Sequence, residues 1–373
     1  MDRQLDPGGG VDFSQLRRMP FDIGEPGDHE SLVEPIYGSW EANVDHALRR
    51  SPIDICRSRR EKQIVLGNFG LVRVLRPSDG SPLREGDFCM VMPFGRSDPY
   101  GYAELVFAYD MPGTIGLLAE RTRINSDLLL PIPRDTRFSL GQWAAYARYF
   151  TAWDNWRCAL ACWRAQMPEA DPADHLVFGW GGGVVFAELL LAKRAGFRVA
   201  MSTGSEIRAQ LLRKHGIDPI MRPTGDPATS EDNGAGARTE SLSHVDDFAA
   251  RIAELTSGRG AAIVIDNIGE KLHALSLKLL GRQGVLTTCG WKLDMRISHL
   301  RGQECINRRL HVHTHAWRSL DIERIRDFSE EAEWIAPPES QVTYDFDEVP
   351  QLARDYVGGN LAPYFPLYRV NEP

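Results

Sequence analysis

Few features of this 373-residue chain fit an extracellular, membrane or nucleic-acid setting. Cysteine is scarce: Cys56, Cys89, Cys158, Cys162, Cys289 and Cys305 are scattered without the rhythm of a disulfide scaffold, so reduced thiols and a cytoplasmic location are expected. The opening MDRQLDPGGGVDF lacks the charged-then-apolar pattern of a secretory signal. Arg, Lys or Glu interrupts every long apolar stretch before it reaches the roughly 20 residues that cross a bilayer, and no membrane partner is expected. Lys and Arg together number 43 against 51 Asp and Glu, giving a net charge of −8. Without a basic block to neutralise phosphates, no nucleic-acid partner is expected. What is present, 43% hydrophobic and 25% charged residues, suits a folded protein large enough for two cores. Small-molecule chemistry becomes the leading reading.

Residues 1 to about 30 are rich in Gly, Pro and Asp and read as a loosely ordered leader. The runs Gln63–Leu66, Leu71–Leu75, Phe88–Met92 and Tyr102–Phe107 then predict short strands separated by Gly, Pro and Asp turns. Between Leu140 and Ala165 apolar residues recur three and four apart, which predicts helices. Beyond them strand and helix patterns alternate: strands at His175–Gly179, Phe197–Ser202, Ala261–Asp266 and Gly284–Cys289, and helices at Val184–Arg194, Glu206–Lys214 and Leu272–Leu280. Short connections between such elements imply a parallel sheet covered by helices. The polar stretch from Arg222 to His244 interrupts this order and reads as an insertion, and the tail from Val342 to Val370 reads as strand, helix and final strand.

Leu176-Val177-Phe178-Gly179-Trp180-Gly181-Gly182-Gly183-Val184 ends an apolar strand in glycines and opens a helix. Backbone N–H groups at a helix start can donate to a pyrophosphate where no side chain blocks the approach. The plainer reading is a tight turn without a ligand. These residues resemble the Gly-Ala-Ala-Gly-Gly-Val turn of the zinc-independent, quinone-oxidoreductase-like and enoyl-reductase-like branch of the medium-chain dehydrogenase/reductase superfamily. Leu191–Gly196, Asp266–Gly269, the strand ending at Gly290 and Phe150-Thr151-Ala152-Trp153 resemble it too, and the likeness is firm from about 140 to 317.

The resemblance implies an α/β protein with a flexible leader at 1–30 and a β-rich GroES-like catalytic domain at 31–150, completed by about 318–373. A Rossmann doubly wound parallel sheet would occupy 151–317, with the polar insertion at about 222–244, and a homodimer would form through its last strand. It implies NADP(H) held by Thr151, Gly181, Gly182, Gly183, Val184, Ser202, Thr203, Ser205, Arg208, Asn267, Gly269 and Gly290. NADP is expected over NAD because Ser202-Thr203-Gly204-Ser205 stands where an acidic residue would bind the ribose hydroxyls, and Arg208 lies where similar enzymes place a basic group. A solvated Arg208 behind an N-cap at Ser205 is the plainer alternative. One residue departs from the pattern: Val185 stands at the family's third glycine, which implies a displaced helix or a rearranged turn.

Where zinc-dependent relatives carry Cys and His ligands, this chain resembles them with Tyr37 and Asn68, neither of which is an ordinary zinc ligand, and the four-cysteine lobe is missing. No metal is expected. His311, His313 and His315 alternate and would share one face of a strand, but a polar edge where subunits pair is preferred to a zinc site. Cys158 and Cys162 read as structural thiols, and Trp180 as a cover for the cofactor or as filler. Reduction of a C=C bond conjugated to a carbonyl needs only hydrogen-bond donors, so an enone, quinone or enoyl thioester is the expected substrate. Tyr37, Asn68 and Asn155 are the candidate donors, each with a structural role as alternative. A non-redox member acting as lyase, cyclase or sensor, and a zinc-free carbonyl reductase, are the competing readings.

Overall fold

The apolar stretches Leu176–Trp180 and Ala261–Asp266 are buried at every residue, the pattern of strands covered on both faces. They lie side by side at the centre of a parallel sheet whose order is Asp218–Met221, Arg198–Thr203, Leu176–Trp180, Ala261–Asp266, Leu280–Thr288 and His311–Thr314. The computed structural model describes residues 16–51, 53–222, 248–290 and 298–373. Most of the expected insertion, the start of the expected leader and Trp291 lie outside the described residues.

The described residues divide into two compact units. One comprises the chain up to Ala147 with Ala336–Leu361 and Phe365–Pro373; the other comprises Arg148–Ile335 and Ala362–Tyr364. In the second unit the sequence-first strand, Leu176–Trp180, neighbours the fourth, Ala261–Asp266, so the winding reverses between them. In open parallel sheets ligands settle outside the carboxyl ends of the strands at such a switch point. The helix Gly183–Arg194 follows the first strand directly. Ser205 then starts the helix Glu206–Lys214, its hydroxyl accepting from the Arg208 N–H. Phe178, Trp180, Ile220, Phe248, Val264 and Leu286 are buried in the core of this unit.

The first unit is built on the long strand Glu30–Ser39. Its sheet runs Gln341–Asp345, Phe365–Arg369, Glu30–Ser39, Gly70–Arg76, Phe88–Val91 and Leu129–Pro131, with Thr122–Asn125 on the other stretch of Glu30–Ser39. All these pairs are antiparallel except the first. The tail thus supplies two strands and the helix Val349–Val357 to this unit. One expected strand does not form: Gln63–Leu66 joins no ladder. The Val65 and Leu66 carbonyls accept isolated bonds from Gly116 and Leu118 at 3.0 and 2.9 Å, and Gly67, with φ +99°, turns the chain immediately afterwards.

Candidate functional site

The glycine turn sits at the switch point. Gly181 has φ +143°, which few side chains tolerate, and Gly182 opens the helix Gly183–Arg194 with no side chain capping it. A Cβ on Gly182 would meet nothing within 4 Å, so open space lies beside the start of the helix. An anion suits the start of this helix, since first-turn N–H groups and the helix dipole both favour negative charge.

Val185 packs against the strand glycines. Its side chain is fully buried and fills the room left by two missing ones: a Cβ on Gly179 would lie 2.3 Å from Val185 Cγ1, and one on Gly181 2.7 Å from Cγ2. Glycines on the strand side give the clearance that a third glycine on the helix side would otherwise provide. Trp180 points into the core, edge-on to Phe178 with centroids at 4.7 Å and tilted on Phe248 at 5.1 Å. It fills space in the core of this unit.

Opposite the turn, Asn267 begins the second ligand-facing loop. Its Oδ1 accepts from Cys289 N at 3.0 Å, while its Nδ2 is buried with no hydrogen-bond partner. Gly290 packs closely beside it, and a Cβ there would approach Asn267 Cβ to 3.1 Å. Asp266 is structural: its carboxylate accepts from the Ile268 and Gly269 amides and from Ser276 Oγ, and burial pushes its pKa up. Thr151 is half-buried in the helix Ala147–Gln166 of the same unit.

At the end of the second strand the hydroxyls are already committed. Thr203 Oγ1 accepts from Ser205 N at 3.2 Å and Ser205 Oγ caps its helix; Ser202 is buried. Arg208 is tied back as well. Its Nε donates to Ala362 O at 2.7 Å, its Nη2 to Pro363 O at 3.2 Å, and its guanidinium lies 4.9 Å from the Tyr364 ring centre. Burial, and the positive charge of Arg222, depress its pKa. Arg222 is the group that the sequence reading left inside the insertion. It follows the strand Asp218–Met221, its N–H bonds Thr203 O at 2.8 Å, and its Nη2 would lie 3.3 Å from a Cβ on Gly204. Its Nε is buried without a hydrogen-bond partner. Two guanidinium groups thus converge on one turn with no acidic residue in Ser202-Thr203-Gly204-Ser205, which favours an anion there. A basic residue directly after the third strand of the sheet was the signal that could have found it.

Behind the turn lies a buried polar chain that the sequence also concealed. Thr287 Oγ1 donates to Asn155 Oδ1 at 2.8 Å, and Asn155 Nδ2 donates to Glu188 Oε1 at 2.9 Å. Glu188 and Asn155 are both fully buried, and Glu188 Oε2 has no hydrogen-bond partner. Burial raises the Glu188 pKa to about 8, against the opposing pull of the hydrogen bonds from Asn155 and Cys289. Both ends of the Asn155 amide are therefore engaged within the core.

Tyr37 and Asn68 belong to the first unit. Gly38 pairs with Gly70 across the strands, and Gly38 and Gly67 both lie against the Tyr368 ring, whose atoms a Cβ on either would overlap. The two segments are thus neighbours. Tyr37 is half-buried; Asn68 is 2% exposed and its Nδ2 is buried without a hydrogen-bond partner. Among the described residues, the one trio of His, Cys, Asp or Glu side chains close enough to share an ion is Cys158, His313 and His315, in the second unit.

Residues 183–336 match the family model of the zinc-binding dehydrogenases. No match is found among curated protein sequences. Of solved structures, the crotonyl-CoA carboxylase/reductase AntE in complex with NADP is 18% identical at a TM-score of 0.73, over 94% of this chain and 89% of that one. The alcohol dehydrogenase of the hyperthermophilic archaeon Aeropyrum pernix is 17% identical at 0.72, over 95% and 96%. The 2-octenoyl-CoA carboxylase reductase CinF, in complex with NADP and 2-octenoyl-CoA, is 18% identical at 0.72, over 94% and 80%. These likenesses show the fold, a parallel Rossmann sheet with an antiparallel β-rich unit.

Proposed function

We propose that this protein belongs to the medium-chain dehydrogenase/reductase superfamily and is an NADPH-dependent reductase of a C=C bond conjugated to a carbonyl: an enone, quinone or enoyl thioester. The observation that carries the cofactor choice is Arg222 beside Arg208 at the Ser202–Ser205 turn, where an acidic residue would repel a 2′-phosphate. The amides of Gly182 and Gly183, which no side chain caps, are assigned to the pyrophosphate and the unpartnered Asn267 Nδ2 to the nicotinamide half. These residues would hold NADPH, which when bound would supply the hydride that the β-carbon of the substrate takes up.

The chain's own task is then to stabilise charge on the carbonyl oxygen as an enolate forms, and to leave the α-carbon open to a proton from water or an acid. We assign that oxygen to Asn68 Nδ2, which is buried and unpartnered, with Tyr37 as second donor. Asn155 is assigned a positioning role, because Glu188 and Thr287 occupy its amide. Tyr37 and Asn68 in place of zinc ligands support a zinc-independent reaction. The thioester option draws on two of the similar structures, which are enzymes of acyl-CoA thioesters.

Fluorescence titration tests the cofactor reading. NADPH should bind more tightly than NADH, and Arg222→Ala should weaken NADPH by about 10- to 100-fold, the loss of a charge-assisted contact of roughly 1.5–3 kcal/mol, while NADH is little changed. Tighter NADH binding in the wild type would sink the assignment. NADPH oxidation assayed across enones, quinones and enoyl thioesters tests the chemistry, and binding with no oxidation on any of them rules out the reductase.

A further inference from the structure

His311–Thr314 forms the edge strand of the parallel sheet, yet the histidine that follows it is not presented at that edge. The His315 side chain is 2% exposed and its Nε2 lies 2.7 Å from Asp154 Oδ2. The His313 ring stacks on it with centroids 5.3 Å apart, and His313 Nε2 is buried without a hydrogen-bond partner. Facing them is the helix Ala147–Gln166, where Asp154 and Cys158 are four residues apart and so share one face. One ligand atom from each of Cys158, His313 and His315 lies within 4.8 Å of the others.

We propose that Cys158, His313 and His315 form a binding site for a divalent transition ion, Zn(II), distinct from the dinucleotide site. Thiolate sulfur with two imidazole nitrogens is the donor set that zinc prefers, and three protein ligands leave a fourth position for water. As the Zn–S bond forms, the Cys158 thiol releases its proton to solvent. The surroundings supply what such a centre needs next. Asp154 fixes the orientation of the His315 ring, as carboxylates commonly do for metal-bound histidines. Arg318 bonds both Asp154 oxygens, with Nη2 at 2.5 Å from Oδ1, and offsets its charge. The same Nη2 lies 3.6 Å from Cys158 Sγ, where it supports the thiolate. With Asp154 and Arg318 cancelling, the ion meets one net negative charge. Binding would tie the helix to the edge strand.

Metal analysis of the full-length protein and cobalt titration of the chelator-treated protein test this. One equivalent of Co(II) should give the near-ultraviolet sulfur-to-cobalt charge-transfer band and the visible bands of a tetrahedral centre. Cys158→Ser should abolish the charge-transfer band, His313→Ala should weaken binding at least tenfold, and Asp154→Asn should weaken it by about 10- to 100-fold through its hold on His315. Zinc should raise the melting temperature of the wild type and not of Cys158→Ser. The melting temperatures of the metal-free proteins show that each variant folds, and Cys158→Ala replaces Cys158→Ser if that one does not. No cobalt bound at stoichiometric concentration, or the same spectrum and affinity in the Cys158 variant, would overturn the proposal.

Discussion

Replacing Gly179 with alanine should destabilise the protein by about 3 kcal/mol or more, and replacing Val185 with alanine in the same chain should recover most of that loss. The new methyl would sit 2.3 Å from Val185 Cγ1 and 3.4 Å from Leu189 Cδ1. Neither neighbour yields easily. A valine on a helix is held in one rotamer, and Val185 is buried between helix and strand. Overpacking typically costs roughly 1–3 kcal/mol, and an overlap this deep against a stiff side chain belongs at the upper end. Val185→Ala alone should also destabilise, by about 1–3 kcal/mol, because it removes two buried methyls and leaves a void. The double variant refills that void with the methyl of residue 179. Urea denaturation of all four proteins gives the coupling, expected at roughly 3 kcal/mol in favour of the pair. NADPH affinity should follow stability, since the turn bearing Gly181 moves with the helix. Simple additivity of the two losses would show that Gly179 and Val185 do not share one space.

That pair also shows what a pattern can and cannot convey. The glycine turn, the alternation of strands and helices, and the helix after the turn were all legible, because apolar runs bounded by glycine dictate them locally. The consequence of Val185 was not, since the compensation sits six residues earlier, in a strand glycine that a match to the motif treats as spacer. Arg222 was hidden for a different reason: it begins a polar stretch, and only the pairing of Asp218–Met221 with Arg198–Thr203 brings it over Gly204. The trio of Cys158, His313 and His315 combines residues about 155 apart, so alternation along the chain pointed to the two histidines and nothing local joined Cys158 to them. Gln63–Leu66 failed in the opposite direction, its β-forming composition being overruled by the turn at Gly67.

Glu188 was the least legible residue of all. A glutamate in an amphipathic helix is ordinarily a solvated one, yet both faces of Gly183–Arg194 are largely covered and its polar partners come from distant segments.

Its burial makes stability depend on pH in a defined direction. Burial raises the Glu188 carboxyl to a pKa of about 8 in the fold, against 4.5 for an exposed glutamate. Below the lower value both folded and unfolded chains hold the proton, and the contribution is fully present. Between the two values the unfolded chain releases the proton while the folded one retains it, so stability falls as pH rises, by up to about 1.4 kcal/mol per unit. Above the higher value the folded carboxyl must ionise without its Oε2 having a hydrogen-bond partner, and the accumulated loss is on the order of 5 kcal/mol. Histidines 46, 175, 273 and 313, held below their usual pKa chiefly by burial, act in the reverse sense as the pH falls. The wild-type curve alone therefore mixes two slopes. Glu188→Gln separates them: glutamine still accepts from Asn155 but cannot titrate, and its extra buried N–H shifts the whole curve without tilting it. Urea denaturation at pH 5, 6, 7 and 8 should show the difference between wild type and variant moving steadily toward the variant as the pH rises. A constant difference across that range would mean that Glu188 is already ionised in the fold, and that something other than a proton stabilises the chain running from Thr287 through Asn155.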